Sequence, residues 1–221
     1  MIPIRDSIRS KRFPKVNLAL IIINIAIFIY ELGLSSHGLQ QFVNQYGAVP
    51  ARVMTGEGAI NTILPMFTAM FLHGGWLHLG GNMLFLWVFG DNVEDRLGSV
   101  RYLLLYLATG LAGFLIQMGS NPASAVPMIG ASGAIAGTLG AYLIMFPRSK
   151  IVALVPIFFF FTFVEMPALI FLFLWFGLQL LNGVAAIGTQ GNMVAWWAHI
   201  GGFLTGLVGA VMMRGGMVRA K

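Results

Sequence analysis

Two short stretches carry side chains that could do chemistry together. Gly130-Ala-Ser132-Gly133 places one hydroxyl where a polar loop turns into an apolar helical run. Trp196-Trp-Ala-His199-Ile-Gly-Gly202-Phe-Leu-Thr-Gly206 places one imidazole on a second apolar run. A serine hydroxyl is a poor nucleophile until an adjacent base takes its proton, so the two residue types suit the nucleophile and general base of a hydrolase. Ser132 begins its helix, where free N–H groups and the positive end of the dipole favour an anion, and an oxyanion formed there would find donors in place. His78 and Asn82 stand four apart and share a helix face; they can add donors to the same site or simply bond neighbouring helices. No third carboxylate is evident, because Glu165 is assigned to an interface, and a Ser–His dyad is expected. Gly-x-Ser-x-Gly, the nucleophile elbow of soluble hydrolases, is not met, since Ala134 stands where its last glycine belongs and no strand precedes it. His73 and His78 lack a third ligand for zinc, and there is no cysteine; no metal or cofactor is expected. His73 is read as an anchor of the preceding loop.

The elements that must position these groups are set by hydropathy. Of 221 residues 58% are hydrophobic and 9% charged, against about 25% charged in a soluble domain, so the solvent is lipid. The net charge of +6 would suit nucleic acid, but the basic residues lie between apolar runs, as at the cytoplasmic ends of membrane spans, and no nucleic-acid partner is expected. The first apolar run is long and no small-residue cleavage site follows it, so it reads as a retained span. Spans are predicted at about 16–34, 76–89, 100–118, 132–146, 167–187 and 194–213, with Glu31 reaching the far interface. Residues 35–76 form a long interfacial connection in which Phe42, Val43, Tyr46 and Val49 fit one short amphipathic helix. Residues 151–165 read as a partly inserted or interfacial segment. With this assignment twelve of the thirteen Lys and Arg fall on one side and Arg52 alone on the other, which puts both termini in the cytoplasm of a cell-membrane protein. The expected architecture is an all-α membrane protein: a basic segment at 1–15, a six-helix domain at 16–213 and a basic tail at 214–221.

Depth then follows from sequence distance. Ser132 precedes Phe146 by 14 residues, His199 precedes Met213 by 14, and His78 precedes Asp91 by 13. At about 1.5 Å per residue all three lie roughly 20 Å above the cytoplasmic face, or about 10 Å below the outer surface of a 30 Å core. Polar side chains at such depth are costly and mark functional sites. Close approach of the two helices is allowed by the small residues Gly133, Gly137, Gly202 and Gly206. Span 4 is too short to cross the core, so the uncharged loop at 119–131 must fill the space above Ser132 and admit water.

Taken in order, His73-Gly-Gly-Trp-Leu-His78-x-x-x-Asn82, Glu94-x-Arg96-x-Gly98, Gly130-x-Ser132-Gly133 and Ala198-His199-x-x-Gly202-x-x-x-Gly206 resemble the rhomboid family of intramembrane serine proteases, over about residues 47–206. The resemblance implies a six-helix core with cytoplasmic termini, Ser132 as nucleophile and His199 as base. It implies His78, Asn82 and the Ser132 amide at the oxyanion, and a structural role for Glu94 and Arg96 at the cytoplasmic end of span 2. The implied substrate is a single-pass membrane protein cut near its outer end. Two features depart from some members: Ala136 stands where an aromatic residue would stack on the base, with Trp196 or Trp197 as replacements, and the first outer loop has no Trp-Arg pair. A silent relative that only binds membrane helices is the competing reading. A small transporter would carry paired intramembrane charges and an inverted repeat, and neither is seen.

Overall fold

The computed structural model describes residues 1–56, 58–157, 160–187 and 194–213; the expected loop at 188–193 and tail at 214–221 lie outside the described residues. The chain starts with β1 (Ile2–Asp6) and α1 (Lys15–Leu32). The connection expected to hold one amphipathic helix holds three: α2 (Ser36–Tyr46), α3 (Pro50–Thr55) and α4 (Ala59–Thr68), the last extended by a 3-10 turn at Ala69–Phe71. The Ser35 hydroxyl accepts the Gly38 N–H at 3.1 Å and starts α2; Pro50 sits in the first turn of α3, where its missing N–H costs nothing. A continuous helical rod follows, made of α5 (Trp76–Phe85), a π-turn (Leu86–Gly90) and α6 (Asp91–Leu97). Then come α7 (Ser99–Ser120), α8 (Ser132–Met145), β2 (Lys150–Ile157), β3 (Phe160–Pro167), α9 (Ala168–Ala185) and α10 (Trp196–Met212). By length and composition α1, α7 and α9 can cross a membrane; residues 60–71, α8 and α10 are shorter apolar helices.

Two expectations are corrected here. The fold is not all-α: β1, β2 and β3 form an antiparallel sheet in that order, and the segment expected to be partly inserted or interfacial supplies β2 and most of β3. Leu154 pairs with Ile2 on one side and Phe163 on the other. The physical reason lies in Ile151, Val152, Val155, Thr162, Phe163 and Val164, β-branched and aromatic residues that fit a pleated surface. Ile151 and Ala153 alternate inward and are fully buried. Pro3 has no N–H to give and sits on an edge strand, as prolines in sheets do. Glu165 lies on β3, with Lys150 at 2.6 Å; both are exposed, and such a pair adds little stability. Glu31, expected at the far interface, is covered by protein. It is buried on α1 and accepts the backbone N–H of His73 at 3.3 Å.

The core is organised around α8, whose residues 133–143 are all buried. At about 1.5 Å per residue its length is roughly 21 Å, short of a full crossing. It can be enclosed because neighbouring backbones touch it directly. A Cβ placed on Gly202 would lie 2.0 Å from the Gly133 carbonyl oxygen, and one on Gly206 would lie 2.0 Å from that of Gly137. Across the same seam a Cβ on Gly140 would meet the Phe203 carbonyl at 2.2 Å.

At the opposite end from Ser132, acidic side chains hold the N-terminal segment. The Glu94 carboxylate accepts the Asn17 and Val16 N–H groups at 2.7 and 3.1 Å, meeting the positive end of α1. It also accepts the Ser99 hydroxyl at 2.6 Å. Asp95 accepts the Lys11 and Arg12 N–H groups, each at 3.1 Å. The π-turn frees a backbone carbonyl, Leu86 O, which the Asn17 amide meets at 3.0 Å; Tyr102 donates to Asn17 Oδ1 at 2.8 Å. Asp6, on β1, accepts the Tyr142 hydroxyl from α8 and the Asn92 amide at 2.8 Å.

Three outcomes follow. Gly206→Val must drive α8 from α10 and should cost about 3 kcal/mol or more, read by detergent-titrated unfolding. Gly177→Ala, with nothing within 4 Å, should leave stability unchanged or slightly raised. Burial pushes the Asp6 carboxyl up from 3.8 to about 6, opposed by the Tyr142 hydrogen bond and reinforced by Asp91. A raised folded-state value favours the protonated form. The docking of β1 is therefore strongest below the unfolded carboxyl range and weakens as pH rises through about 6. Amide exchange at Ile2–Asp6, corrected for intrinsic rates, should show stronger protection at about pH 4 than at about pH 7.5, and Asp6→Asn should abolish the difference.

Candidate functional site

The loop before α8 is threaded by backbone bonds to the first connection. Ala48 and Met128 exchange bonds of 3.0 and 2.8 Å, and Gly130 N–H donates to Ala69 O at 2.8 Å. Gly130 has φ +122°, a backbone region that favours glycine, and a Cβ there would lie 2.7 Å from His78 Nε2 and 3.8 Å from Ser132 Oγ. Gly130 therefore lets the His78 ring and the Ser132 hydroxyl share one space. No side chain caps the first turn of α8, so the N–H groups there are left for another acceptor.

Ser132 and His199 are brought together. Ser132 Oγ lies 2.8 Å from His199 Nε2, and both residues are only partly buried. The other imidazole nitrogen, Nδ1, lies 2.8 Å from Oε1 of Gln179 on α9. The Gln179 amide nitrogen donates to the Trp175 carbonyl at 3.3 Å, which turns its oxygen toward the ring. An amide oxygen only accepts. Nδ1 therefore carries the proton, and the Nε2 lone pair faces the Ser132 hydroxyl. Trp196 meets the His199 ring edge-on at 6.1 Å, and Trp175 lies 6.2 Å away, tilted by 35°.

His78 and Asn82 have different surroundings. His78 Nδ1 accepts the Gly74 N–H at 3.3 Å, so its Nε2, on the side of Gly130, carries the proton of the neutral ring. Asn82 is buried, with Nδ2 2.9 Å from His73 Nε2. His73 thus ties the loop to α5, and one amide hydrogen of Asn82 is spent on it. The His73 and His78 rings lie 5.0 Å apart. Among the described residues no group of three or more His, Cys, Asp or Glu is placed to hold a metal.

Two residues that the sequence reading missed bear on the site. Gln117 Oε1 of α7 accepts the Trp197 and Ala198 N–H groups at 3.0 and 3.2 Å, capping α10 two residues before His199. Gln179 is buried against His199. Each is an amide on an apolar helix, and the cost of burying a polar group there was the available signal.

A Rhomboid domain model matches residues 61–215. The chain is 30% identical over 141 residues to Rhomboid protein 1, mitochondrial, of Saccharomyces cerevisiae, covering 62% of this chain and 38% of that protein. It is 46% identical over 78 residues to Rhomboid protease GluP of Bacillus subtilis, covering 35% and 15%. It is 30% identical over 155 residues to RHOMBOID-like protein 1 of Arabidopsis thaliana, covering 59% and 39%. These matches span less than half of each relative's length. With a family model over more than half of the chain and several apolar helices, this is a multi-pass membrane protein belonging to the rhomboid family.

Proposed function

We propose that the chain is an intramembrane serine endopeptidase that cuts single-pass membrane proteins within or near the outer end of their transmembrane segment. The 2.8 Å contact between Ser132 Oγ and His199 Nε2 carries this reading. As Oγ attacks the substrate carbonyl carbon, the hydroxyl proton passes to Nε2. The negative charge gathers on the former carbonyl oxygen, beside the Ser132 N–H, His78 Nε2–H and the free amide hydrogen of Asn82. Collapse breaks the C–N bond, and His199 returns its proton to the leaving amine. Water, deprotonated by the same nitrogen, then frees the acyl group and restores Ser132. The name of GluP, a rhomboid protease, supports the reaction class. A silent, helix-binding relative would have no use for a hydroxyl and a base in contact. The excess of Lys and Arg on one side supports a cell-membrane protein whose basic segments, 1–15 and 214–221, are cytoplasmic and flank the membrane domain at 16–213. No cofactor enters the reaction.

In liposomes holding a model single-span substrate, wild type should cleave, while Ser132→Ala and His199→Ala should show no cleavage above background. Equal cleavage by wild type and Ser132→Ala overturns the assignment. His78→Ala and Asn82→Ala should each lower kcat by about a hundredfold, the usual worth of an oxyanion donor, with KM little changed.

A further inference from the structure

We infer that Gln179, on α9, is the positioning residue for the base of the Ser132–His199 pair carried by α8 and α10. The inference rests on the proposed roles of Ser132 and His199 and adds the residue that fixes the histidine tautomer. Neutral imidazole can carry its proton on either nitrogen, and only the Nδ1–H form can accept from the serine hydroxyl. Gln179 selects that form, because its oxygen lies 2.8 Å from Nδ1 and cannot donate. The amide is held in this sense by its own bond to Trp175 O, and it is buried. Its seat is built by spacing: Trp175, Gln179 and Gly183 recur every four residues on one face of α9. Trp175 lies beside the His199 ring, while a Cβ on Gly183 would sit 3.4 Å from Trp196 Cβ and 3.3 Å from Ile200. Phe176 stacks on Phe203 of α10 at 4.8 Å. Ala136 leaves the α8 side of the base without an aromatic neighbour, and α9 supplies both the ring and the acceptor. The titratable neighbour that acts on His199 is His78 of α5; Ser132, Gln179, Trp175 and Trp196, the side chains at its ring, carry no charge.

A glutamine in this place orients the base without charging it, whereas a carboxylate would do both. The test therefore compares Gln179→Leu and Gln179→Glu with wild type in the liposome assay, alongside nitrogen NMR of the histidine rings in the full chain with Ser132→Ala as background. Gln179→Leu should lose about tenfold to a hundredfold in kcat, as expected for one buried orienting bond, with KM within about twofold. Its His199 signals should change from a single Nδ1–H form to a mixture of tautomers. Gln179→Glu should keep most of the wild-type kcat, with the acid limb of kcat/KM against pH moved upward by about one to three units, because the carboxylate stabilises the imidazolium. A glutamine that only packs predicts neither change. If wild type cleaves, and both variants share its pH profile and a single Nδ1–H signal, the inference fails while the serine protease reading stands. If wild type does not cleave, the reading itself fails, and the NMR comparison still decides whether Gln179 sets the tautomer.

Discussion

Everything at the site depends on backbone meeting backbone between α8 and α10. In lipid, apolar side chains gain little by leaving their solvent, and association relies on dispersion contacts at short range. Gly133 and Gly137 give their carbonyls to the space that Gly202 and Gly206 leave empty. The same seam seats Ser132 and His199 at its upper end. Because no side chain intervenes, there is little freedom in the distance between hydroxyl and imidazole. The 2.8 Å separation is thus a property of two helix axes more than of two rotamers.

Much of this was legible beforehand, and for a definite reason. In a chain with 9% charged residues, a polar side chain on an apolar helix stands out, and the spacing of His78, Ser132 and His199 could be read as depth. The starts of α7, α8 and α10 also fell close to the places where polar loops give way to apolar runs. The hairpin at 150–167 was not legible, because a run of Val, Ile and Phe is as apolar as a span, and its strand character depends on a partner, Ile2–Asp6, some 150 residues away. Glu31 was misplaced for a similar reason. An acid near the end of an apolar helix suits an interface unless a donor waits inside, and the donor is a backbone N–H of a loop whose position the sequence does not reveal. Gln117 and Gln179 are uncharged and easily passed over, although each meets α10 at or just beside His199.

The end of the bundle away from Ser132 is built on different chemistry. There, carboxylates of α6 receive the N–H groups of the N-terminal segment and of α1, and the sheet ties residues 2–6 to the hairpin between α8 and α9. Asp6 joins these parts through Tyr142 near the lower end of α8. The helix that begins with Ser132 is therefore held at its far end by a titratable group, and at its near end by glycines.

The π-turn at Leu86–Gly90 has a consequence for the whole rod. A wider turn takes up an extra residue, and in an α-helix one residue is worth about 100° of rotation about the axis. Below the turn, every side chain of α6 is out of phase with α5 by roughly that angle. His78 can thus look toward Gly130 and Asn82 toward His73, while Glu94, on the same rod, looks toward the start of α1.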